Sequence, residues 1–248
     1  MKSEIKVSLI LIVNKEEVYQ DFINSLKTQI DVQYQLIPIA NCHHEYDSAR
    51  RAFNEASQQA EGEYIAFLHP DIRFLSPTSL HDIIQSVESL NDFGVAGVAG
   101  AKAISKKERK ILSNIVHGDQ KQSAGKRITE PVSVQTLDEC FFIIKKDYFE
   151  KHPFPNITGW HLYSVQYCLD VIRDGKTNYV VPADLWHLSD GKSLDPNYVD
   201  QLNDLINKEK SYFDLICTTV KAWPTKGLGA FIYRKYYKAK QCIKKIIG

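Results

Sequence analysis

The residues from Val7 to Val13 restrict the fold of this chain more than any other feature. They read VSLILIV, a continuous apolar run. Such a run is typical of a β-strand that is covered on both faces, as strands of parallel sheets are. A helical pattern at residues 16–29 and a second short apolar run at residues 35–40 follow it. The chain therefore opens as a β-α-β unit.

The same alternation continues through the first hundred residues. Helical patterns occupy residues 47–59 and 79–90, and strand patterns occupy residues 64–68 and 94–100. This order predicts an α/β fold in which helices flank a mostly parallel central sheet. Residues 103–130 are polar and rich in lysine, which indicates a mobile or hairpin-like excursion from the sheet.

Regular patterns return in the second half of the chain. Residues 132–145, VSVQTLDECFFIIK, predict two strands that meet at Asp138 and Glu139. A helix over residues 161–173 and a strand over residues 178–181 follow, and the last part is helical in pattern. We expect one catalytic domain at residues 1–200 and a helical extension at residues 201–248.

Polar residues stand directly after the first three predicted strands. In open α/β sheets, ligands bind outside the carboxyl ends of the strands. The residues at these ends are Asn14 and Glu17, Asn41, and His69 and Asp71. Their joint occurrence favours a ligand site, although each alone also fits a solvated loop.

A divalent cation would suit this edge. Mg²⁺ and Mn²⁺ commonly bridge a protein carboxylate to substrate phosphates, which Asp71 could provide. His187, which follows the strand at residues 178–181, could add an imidazole ligand if the fold returns it to the same place. The alternative is that His187 makes a structural hydrogen bond.

Three segments resemble family 2 glycosyltransferases: VSLILIVNKEE, the stretch from Ser48 through FNEASQQAEGEYIAFLHPD, and DECFFIIKKDYFE. The resemblance extends from Val7 to Gly191 and implies the nucleotide-diphospho-sugar transferase fold, GT-A. Relatives usually carry an Asp-x-Asp metal motif. This chain reads HPD at residues 69–71, similar to a branch of the family with His-x-Asp.

The resemblance implies a role for each of these residues on the donor side. Asp71 would hold the metal and diphosphate with support from His69, and Asn54 would belong to the donor site. Asn14 and Glu17 would line the nucleotide pocket. Asn41 stands where many relatives have an Asp against the base. The implied donor is a nucleotide sugar, with a UDP-sugar favoured, and the implied acceptor is a saccharide or glycoconjugate.

The general base is where the chain departs from the family pattern. Inverting relatives carry an Asp near the start of a helix that here reads GWHLYSVQYCLD, and Ser164 and Gln166 occupy that region. His161, Asp138 and Glu139 are the candidate replacements. Adjacent strand residues point to opposite faces, so only one of the two carboxylates should be catalytic. Two nearby aromatic rings could stack on the acceptor sugar: Trp160 and Tyr163.

The missing Asp leaves a second hypothesis open, a non-catalytic nucleotide-sugar-binding partner or scaffold of an active transferase. A dinucleotide-dependent dehydrogenase is excluded, because VNKEE stands where GxGxxG would follow the first strand.

Charge and cysteine content restrict the partners and the compartment. The formal net charge is +1, so no global field attracts nucleic acid. The five cysteines include no CxxC pair, which indicates a reducing, cytoplasmic setting. We therefore expect neither a signal peptide nor a transmembrane helix.

The tail at residues 229–247 is locally basic and amphipathic. Its apolar residues recur at helical spacing, and no Asp or Glu follows Asp214. The apolar members are Ile232, Tyr236, Ala239, Ile243 and Ile246, and the basic members are Arg234, Lys235, Lys238, Lys244 and Lys245. We expect this helix to lie on the anionic inner face of the cell membrane. Packing on the catalytic domain or on a second subunit of a homo-oligomer is the alternative.

Overall fold

The computed structural model describes residues 5–189 and 196–247, with side chains described to residue 243 in the last helix. Gly191, Lys244, Lys245 and Ile246, which the sequence analysis used, therefore lie outside the described residues or side chains. The helices are α1 Glu16–Leu26, α2 Ala49–Ser57, α3 Ser79–Glu88, α4 Lys146–Lys151, α5 Tyr163–Arg173, α6 Pro196–Glu209 and α7 Leu228–Ile247. The strands are β1 Val7–Val13, β2 Tyr34–Ala40, β3 Tyr64–Leu68, β4 Ile72–Phe74, β5 Phe93–Gly97, β6 Ala99–Ala103, β7 Arg109–Ser113, β8 Val116–His117, β9 Gln122–Ser123, β10 Val132–Val134, β11 Thr136–Leu137, β12 Phe141–Lys145, β13 Thr177–Val180, β14 Leu185–His187, β15 Leu215–Cys217 and β16 Ala222–Pro224.

Strand β1 lies inside the central sheet, as its apolar run predicts. All seven of its residues are buried, and the sheet has the order β10-β13-β5-β12-β3-β1-β2. Two buried hydrophobic clusters cover the two faces of this sheet. One contains Leu9 and Leu11 and the other Ile10 and Ile12, which is the alternation expected of a strand with two covered faces.

The central sheet is mixed rather than mostly parallel. Three of its six neighbouring pairs are parallel and three are antiparallel. The difference arises because β12 enters between β3 and β5 and runs antiparallel to both. Apolar periodicity reports the burial of a strand but not its direction, so the sequence could not distinguish the two arrangements.

The polar segment after β6 folds into short strands that extend the structure beside the sheet. Strand β7 pairs with β6, while β8 and β9 join a second small sheet of order β4-β14-β8-β9. In that sheet β14 pairs antiparallel with β4, which places His187 opposite Ile72. This sheet returns a distant part of the chain to the carboxyl end of β3.

The C-terminal part shares a hydrophobic core with α5. Leu162, Val165 and Leu169 pack in one cluster with side chains of α6, β16 and α7, including Trp223 and Tyr237. Helix α6 runs across residue 200, where the sequence divides the chain. The helical pattern also missed β15 and β16, which form an antiparallel hairpin.

A buried ion pair joins α5 to α6. Nη1 of Arg173 lies 2.9 and 2.8 Å from the two carboxylate oxygens of Glu209, whose side chain is fully buried. We expect Arg173→Met to lower the free energy of unfolding by about 2 kcal/mol, because the buried carboxylate of Glu209 then keeps only a 3.5 Å contact with Nζ of Lys208. Urea denaturation measures this change. Lys226→Met removes the exposed pair with Asp214 and should leave the denaturation midpoint unchanged; equal effects of both substitutions would contradict the role assigned to Arg173.

Candidate functional site

The carboxyl ends of β1 and β2 are joined by two asparagines. Nδ2 of Asn41 donates a hydrogen bond to Oδ1 of Asn14 at 2.7 Å, and Oδ1 of Asn41 accepts the Tyr46 backbone N–H at 2.9 Å. Asn41 is buried, while Asn14 and Glu17, in the first turn of α1, are exposed. The parallel pairing of β1 with β2 and β3 places these residues at the same sheet edge as the end of β3.

Three side chains that can bind a metal meet just beyond the end of β3. Nε2 of His187 lies 3.3 Å from Oδ2 of Asp71, and Nδ1 of His69 lies 3.9 Å from Oδ1 of Asp71. One ligand atom from each of the three residues lies within 4.8 Å of the others. The backbone supports the group: the His69 N–H donates to the Cys140 carbonyl at 3.0 Å, and the Leu188 N–H donates to the Asp71 carbonyl at 3.0 Å.

The charges and hydrogen bonds of this group fit a divalent cation. Oδ1 of Asp71 is buried and lacks a hydrogen-bond partner, and buried Nε2 of His187 has only the 3.3 Å contact with Oδ2 of Asp71. This is a costly state that a cation would relieve. Burial acts to raise the pKa of Asp71, but the neighbouring His187 and His69 hold it below its ordinary value. Burial lowers the pKa of His69, whereas burial acts to lower the pKa of His187 but the contact with Asp71 holds it above its ordinary value. An ionised carboxylate and a neutral imidazole are the forms that bind metals.

His117 is a member of this neighbourhood that the sequence did not reveal. It lies opposite His187 in the parallel pair of strands β8 and β14. The centroids of the two imidazole rings are 5.5 Å apart. Burial lowers the pKa of His117. No local signal marked this residue, because its position depends on the return of β14 to the site.

Asp138 and Glu139 are adjacent but face different surroundings. Oδ2 of Asp138 accepts a hydrogen bond from Oγ1 of Thr219 at 2.6 Å, whereas Oε1 of Glu139 accepts the Tyr163 N–H at the start of α5 at 2.7 Å. Burial acts to raise the pKa of Asp138, but the bond from Thr219 and the nearby His187 hold it below its ordinary value. Burial, reinforced by Asp138, raises the pKa of Glu139 to about 8.

The loop before α5 carries His161 and Trp160. The His161 N–H donates to Oε1 of Gln201 at 3.2 Å, and its ring lies edge-on to Tyr198 of α6 at 5.7 Å. The Trp160 ring is 37% exposed. The structure therefore places His161 against α6 and leaves part of the Trp160 ring open to a ligand.

Two expected ligand contacts are corrected. Tyr163 is buried among Phe53, Phe142 and Phe154, which leaves no open face for a sugar; its hydroxyl lies 3.3 Å from Nε2 of His69 and can orient that ring instead. The amide of Asn54, expected in the donor site, is engaged within the protein. Its Nδ2 donates to the Phe154 carbonyl at 2.9 Å, and its Oδ1 accepts the Phe154 N–H at 3.1 Å.

Ser164 and Gln166, in the region where a catalytic Asp was expected, are buried. Oγ of Ser164 donates to the Leu137 carbonyl at 2.7 Å, and Oε1 of Gln166 accepts a hydrogen bond from Nη2 of Arg50 at 3.1 Å. Both side chains therefore take part in hydrogen bonds within the protein.

A family model covers most of the chain. Residues 8–206 match the model of a family described as glycosyltransferase-like. A protein of Fuscovulum blasticum named ATP synthase subunits region ORF 6 is 24% identical over 164 residues, which are 62% of this chain and 63% of that protein. The match thus spans less than two thirds of that relative.

Solved structures of glycosyltransferases share the fold. The mannosyltransferase PcManGT from Pyrobaculum calidifontis, in complex with GDP-Man and Mn²⁺, has a TM-score of 0.56 at 10% identity. The superposition covers 96% of this chain and 70% of the mannosyltransferase chain. The catalytic domain of Drosophila beta1,4galactosyltransferase 7 with xylobiose has a TM-score of 0.51 at 12% identity, covering 75% and 71%. A mutant of that enzyme with manganese, UDP-Gal and xylobiose has a TM-score of 0.50 at 12% identity, covering 75% and 72%. The α/β fold of this chain is therefore GT-A-like.

Metal binding can be tested directly on the group of His69, Asp71 and His187. We expect Mn²⁺ to bind the protein and Asp71→Asn or His187→Gln to weaken binding at least about tenfold, because the first substitution removes a negative charge and the second removes an imidazole nitrogen. Electron paramagnetic resonance of free Mn²⁺ measures the bound fraction. The control is His81→Gln, which alters an exposed His-Asp pair on α3. Equal Mn²⁺ binding by all four proteins would rule out this site.

Proposed function

Because the chain belongs to this glycosyltransferase-like family, we propose that it transfers a sugar from a nucleoside-diphosphate donor to a saccharide or glycoconjugate acceptor with the help of a divalent cation. The observation that carries the proposal is the group of His69, Asp71 and His187 at the carboxyl edge of the sheet. Ligands of open α/β sheets bind at this edge. The named complexes of the mannosyltransferase and galactosyltransferase contain nucleotide sugars and manganese, which supports the same division of roles here.

Asp71, His187 and His69 would hold the cation, and the cation would neutralise the departing diphosphate. Of the two cations considered, Mn²⁺ fits this group better than Mg²⁺. Mg²⁺ takes oxygen ligands almost exclusively, whereas two of the three atoms offered here are imidazole nitrogens. Asn14, Glu17 and Asn41 stand at the neighbouring strand ends, where the nucleotide would bind. A UDP-sugar remains the favoured donor.

Glu139 is our choice for the general base. A carboxyl whose pKa is about 8 is a far better proton acceptor near neutral pH than an ordinary glutamate, because catalysis is most effective when the pKa lies near the working pH. Asp138 accepts two hydrogen bonds and holds its charge too firmly to accept a proton. His161 is the alternative, and its ring contact with Tyr198 favours a positioning role.

The proposed reaction inverts the configuration of the transferred sugar. An acceptor hydroxyl attacks the anomeric carbon on the face opposite the diphosphate and gives its proton to Glu139. The bond from the anomeric carbon to the phosphate oxygen breaks at the same time, and its electron pair leaves with the nucleotide. The exposed Trp160 ring can stack on the apolar face of the acceptor sugar.

Kinetics separate these roles. We expect Asp71→Asn and Glu139→Gln each to reduce the maximal rate at least about 100-fold, whereas the exposed Glu150→Gln should not. The wild-type rate should rise with pH and level off above about pH 8, because the base must lose its proton, and Glu139→Gln should remove this rise. Transfer from UDP-, GDP- and dTDP-sugars with Mn²⁺ is the measurement. A full rate in Glu139→Gln with loss in His161→Ala would move the base to His161.

A non-catalytic role is the second candidate, and Ser164 and Gln166 favour it. Neither residue accepts a proton near neutral pH, and both are engaged within the protein. A protein that binds nucleotide sugar and Mn²⁺ but neither hydrolyses nor transfers the sugar would be a binding partner or scaffold. The same kinetic assay decides between the two.

Helix α7 would attach the protein to an anionic membrane surface. One side packs on the protein: Tyr237 is buried, and Nε of Arg234 donates to Oδ1 of Asn203 at 2.8 Å. The other side exposes Ile232 at 57% and Tyr236 at 65%. Lys235 and Lys240 are also exposed. Apolar and basic side chains without acidic neighbours on the helix fit a headgroup boundary. No helix in the described ranges is long and apolar enough to cross a bilayer.

Sedimentation with liposomes tests the membrane contact. We expect the protein to pellet with anionic but not neutral vesicles and to be released by added salt. Ile232→Ser with Tyr236→Ser should abolish pelleting without unfolding the protein, since both side chains are exposed. Tyr212→Ser, at another exposed tyrosine, is the control. Loss of dimers instead of loss of pelleting would assign the face to a second subunit.

A further inference from the structure

A cavity of this protein has a lining that does not include His69, Asp71 or His187. It measures about 450 Å³ and is bounded by α2, the loop at residues 157–162, α5 and α6. Two of its lining side chains, Arg50 and Gln166, are each 3% exposed. The mouth is formed by exposed residues of α6, among them Asp200, Asp204 and Lys208.

Arg50 leaves most of its hydrogen-bonding capacity unused. Nη2 donates to Oε1 of Gln166 at 3.1 Å and to the His161 carbonyl at 3.3 Å. Nε and Nη1 of Arg50 and Nε2 of Gln166 are buried and have no hydrogen-bond partner among the described residues. All three atoms are donors, they belong to two residues that line the cavity, and none of them has an acceptor.

The charge of Arg50 also lacks a counterion within the described part of the chain. Glu139 is the carboxyl that acts on it most strongly, but the pKa of Glu139 is raised to about 8, so this carboxyl is mostly uncharged at pH 7. A buried guanidinium without an ion pair is costly. An anion bound in the cavity would supply both a counterion for Arg50 and hydrogen-bond acceptors for the donors that lack them.

The mouth offers complementary groups for hydroxyls. Asp200 is paired with Lys238 at 2.5 Å, and Lys208 with Asp170 at 3.1 Å. The exposed Asp204 has no such pair in the described ranges. Its carboxylate can accept hydrogen bonds from hydroxyl groups, and Leu162 and Leu205 supply apolar walls. The donors of Arg50 and Gln166 and the acceptor carboxylate of Asp204 together fit a ligand that has an anionic group at one end and hydroxyl groups at the other.

We propose that this cavity binds an acidic saccharide, with its carboxylate or phosphate on Arg50 and Gln166 and its hydroxyls at the α6 mouth. The saccharide class rests on the proposed function, whereas the anion contact does not. The occupant would also act on the acceptor side of the candidate active site. Arg50 and Gln201 both line the cavity and both bond the backbone of His161.

Binding is measured by calorimetry at pH 7 in EDTA, without donor. Glucuronate and glucose 6-phosphate are the two anionic probes, glucose is the neutral probe, and acetate and inorganic phosphate report simple anions. We expect glucuronate or glucose 6-phosphate to bind measurably and glucose at least about tenfold more weakly. Binding of glucuronate alone assigns a carboxylate, and binding of glucose 6-phosphate alone assigns a phosphate.

Two variants test the site, one by removing the charge of Arg50 and one by adding a carboxylate next to it. Arg50→Gln removes the charge and should weaken binding at least about tenfold, while Arg51→Gln, at the exposed neighbour on the same helix, should not. Gln166→Glu places a carboxylate beside Nη2 of Arg50; it should raise the melting temperature of the free protein and abolish binding of the anionic probe. This variant keeps the test valid if Arg50→Gln does not fold.

Several outcomes would overturn the proposal. These are no binding of either anionic probe, equal binding by Arg50→Gln or Gln166→Glu, or equal binding of acetate or inorganic phosphate, which would make this an adventitious anion site. Asp71→Asn separates the proposal from the proposed function. That variant should lose Mn²⁺ and transfer activity but bind the acidic saccharide as the wild type does.

Discussion

The pairing of β4 with β14 is the constraint on which the candidate active site depends. The register Leu185↔Phe74, Trp186↔Arg73, His187↔Ile72 brings together residues more than a hundred positions apart. Without it, the carboxyl end of β3 would offer only His69 and Asp71. With it, a second imidazole and the parallel neighbour β8 are added. The central sheet positions His69 and Asp71 at its carboxyl edge, and the small sheet adds His187 beside them.

Asp138 and Glu139 show how neighbours in sequence can have opposite acid-base properties. Hydrogen bonds from Thr219 and from the Cys140 N–H stabilise the charged form of Asp138, and this charge in turn makes ionisation of the partly buried Glu139 harder. A firmly ionised carboxylate thus helps to hold its neighbour protonated. The two residues lie in the turn between β11 and β12 rather than in a strand, and this turn directs their carboxylates to different hydrogen-bond partners.

The sequence predicted the parts of the fold that depend on local pattern. Buried strands such as Val7–Val13 and Tyr64–Leu68 were found because apolar runs report burial, and strand-end chemistry led to Asp71 and His187. The direction of β12, the hairpin of β15 and β16, and the place of His117 depend on long-range pairing and had no local signal. Asn54 was assigned a ligand contact from a motif and Tyr163 from its aromatic ring, and neither signal shows what the side chain touches in the folded protein. Arg50 was missed because an arginine in a polar helix sequence looks solvated until the fold buries it.

The combination of two imidazoles and one carboxylate also affects which ion would reach such a site in a cell. Nitrogen-containing ligand sets bind Zn²⁺, Co²⁺ and Ni²⁺ more tightly than Mn²⁺. Occupancy would then follow the free concentrations of competing ions rather than affinity alone. Protein purified on a nickel column or from a zinc-rich medium would then contain Ni²⁺ or Zn²⁺ in place of Mn²⁺. The ion bound to the group of His69, Asp71 and His187 would therefore differ between preparations of the same protein.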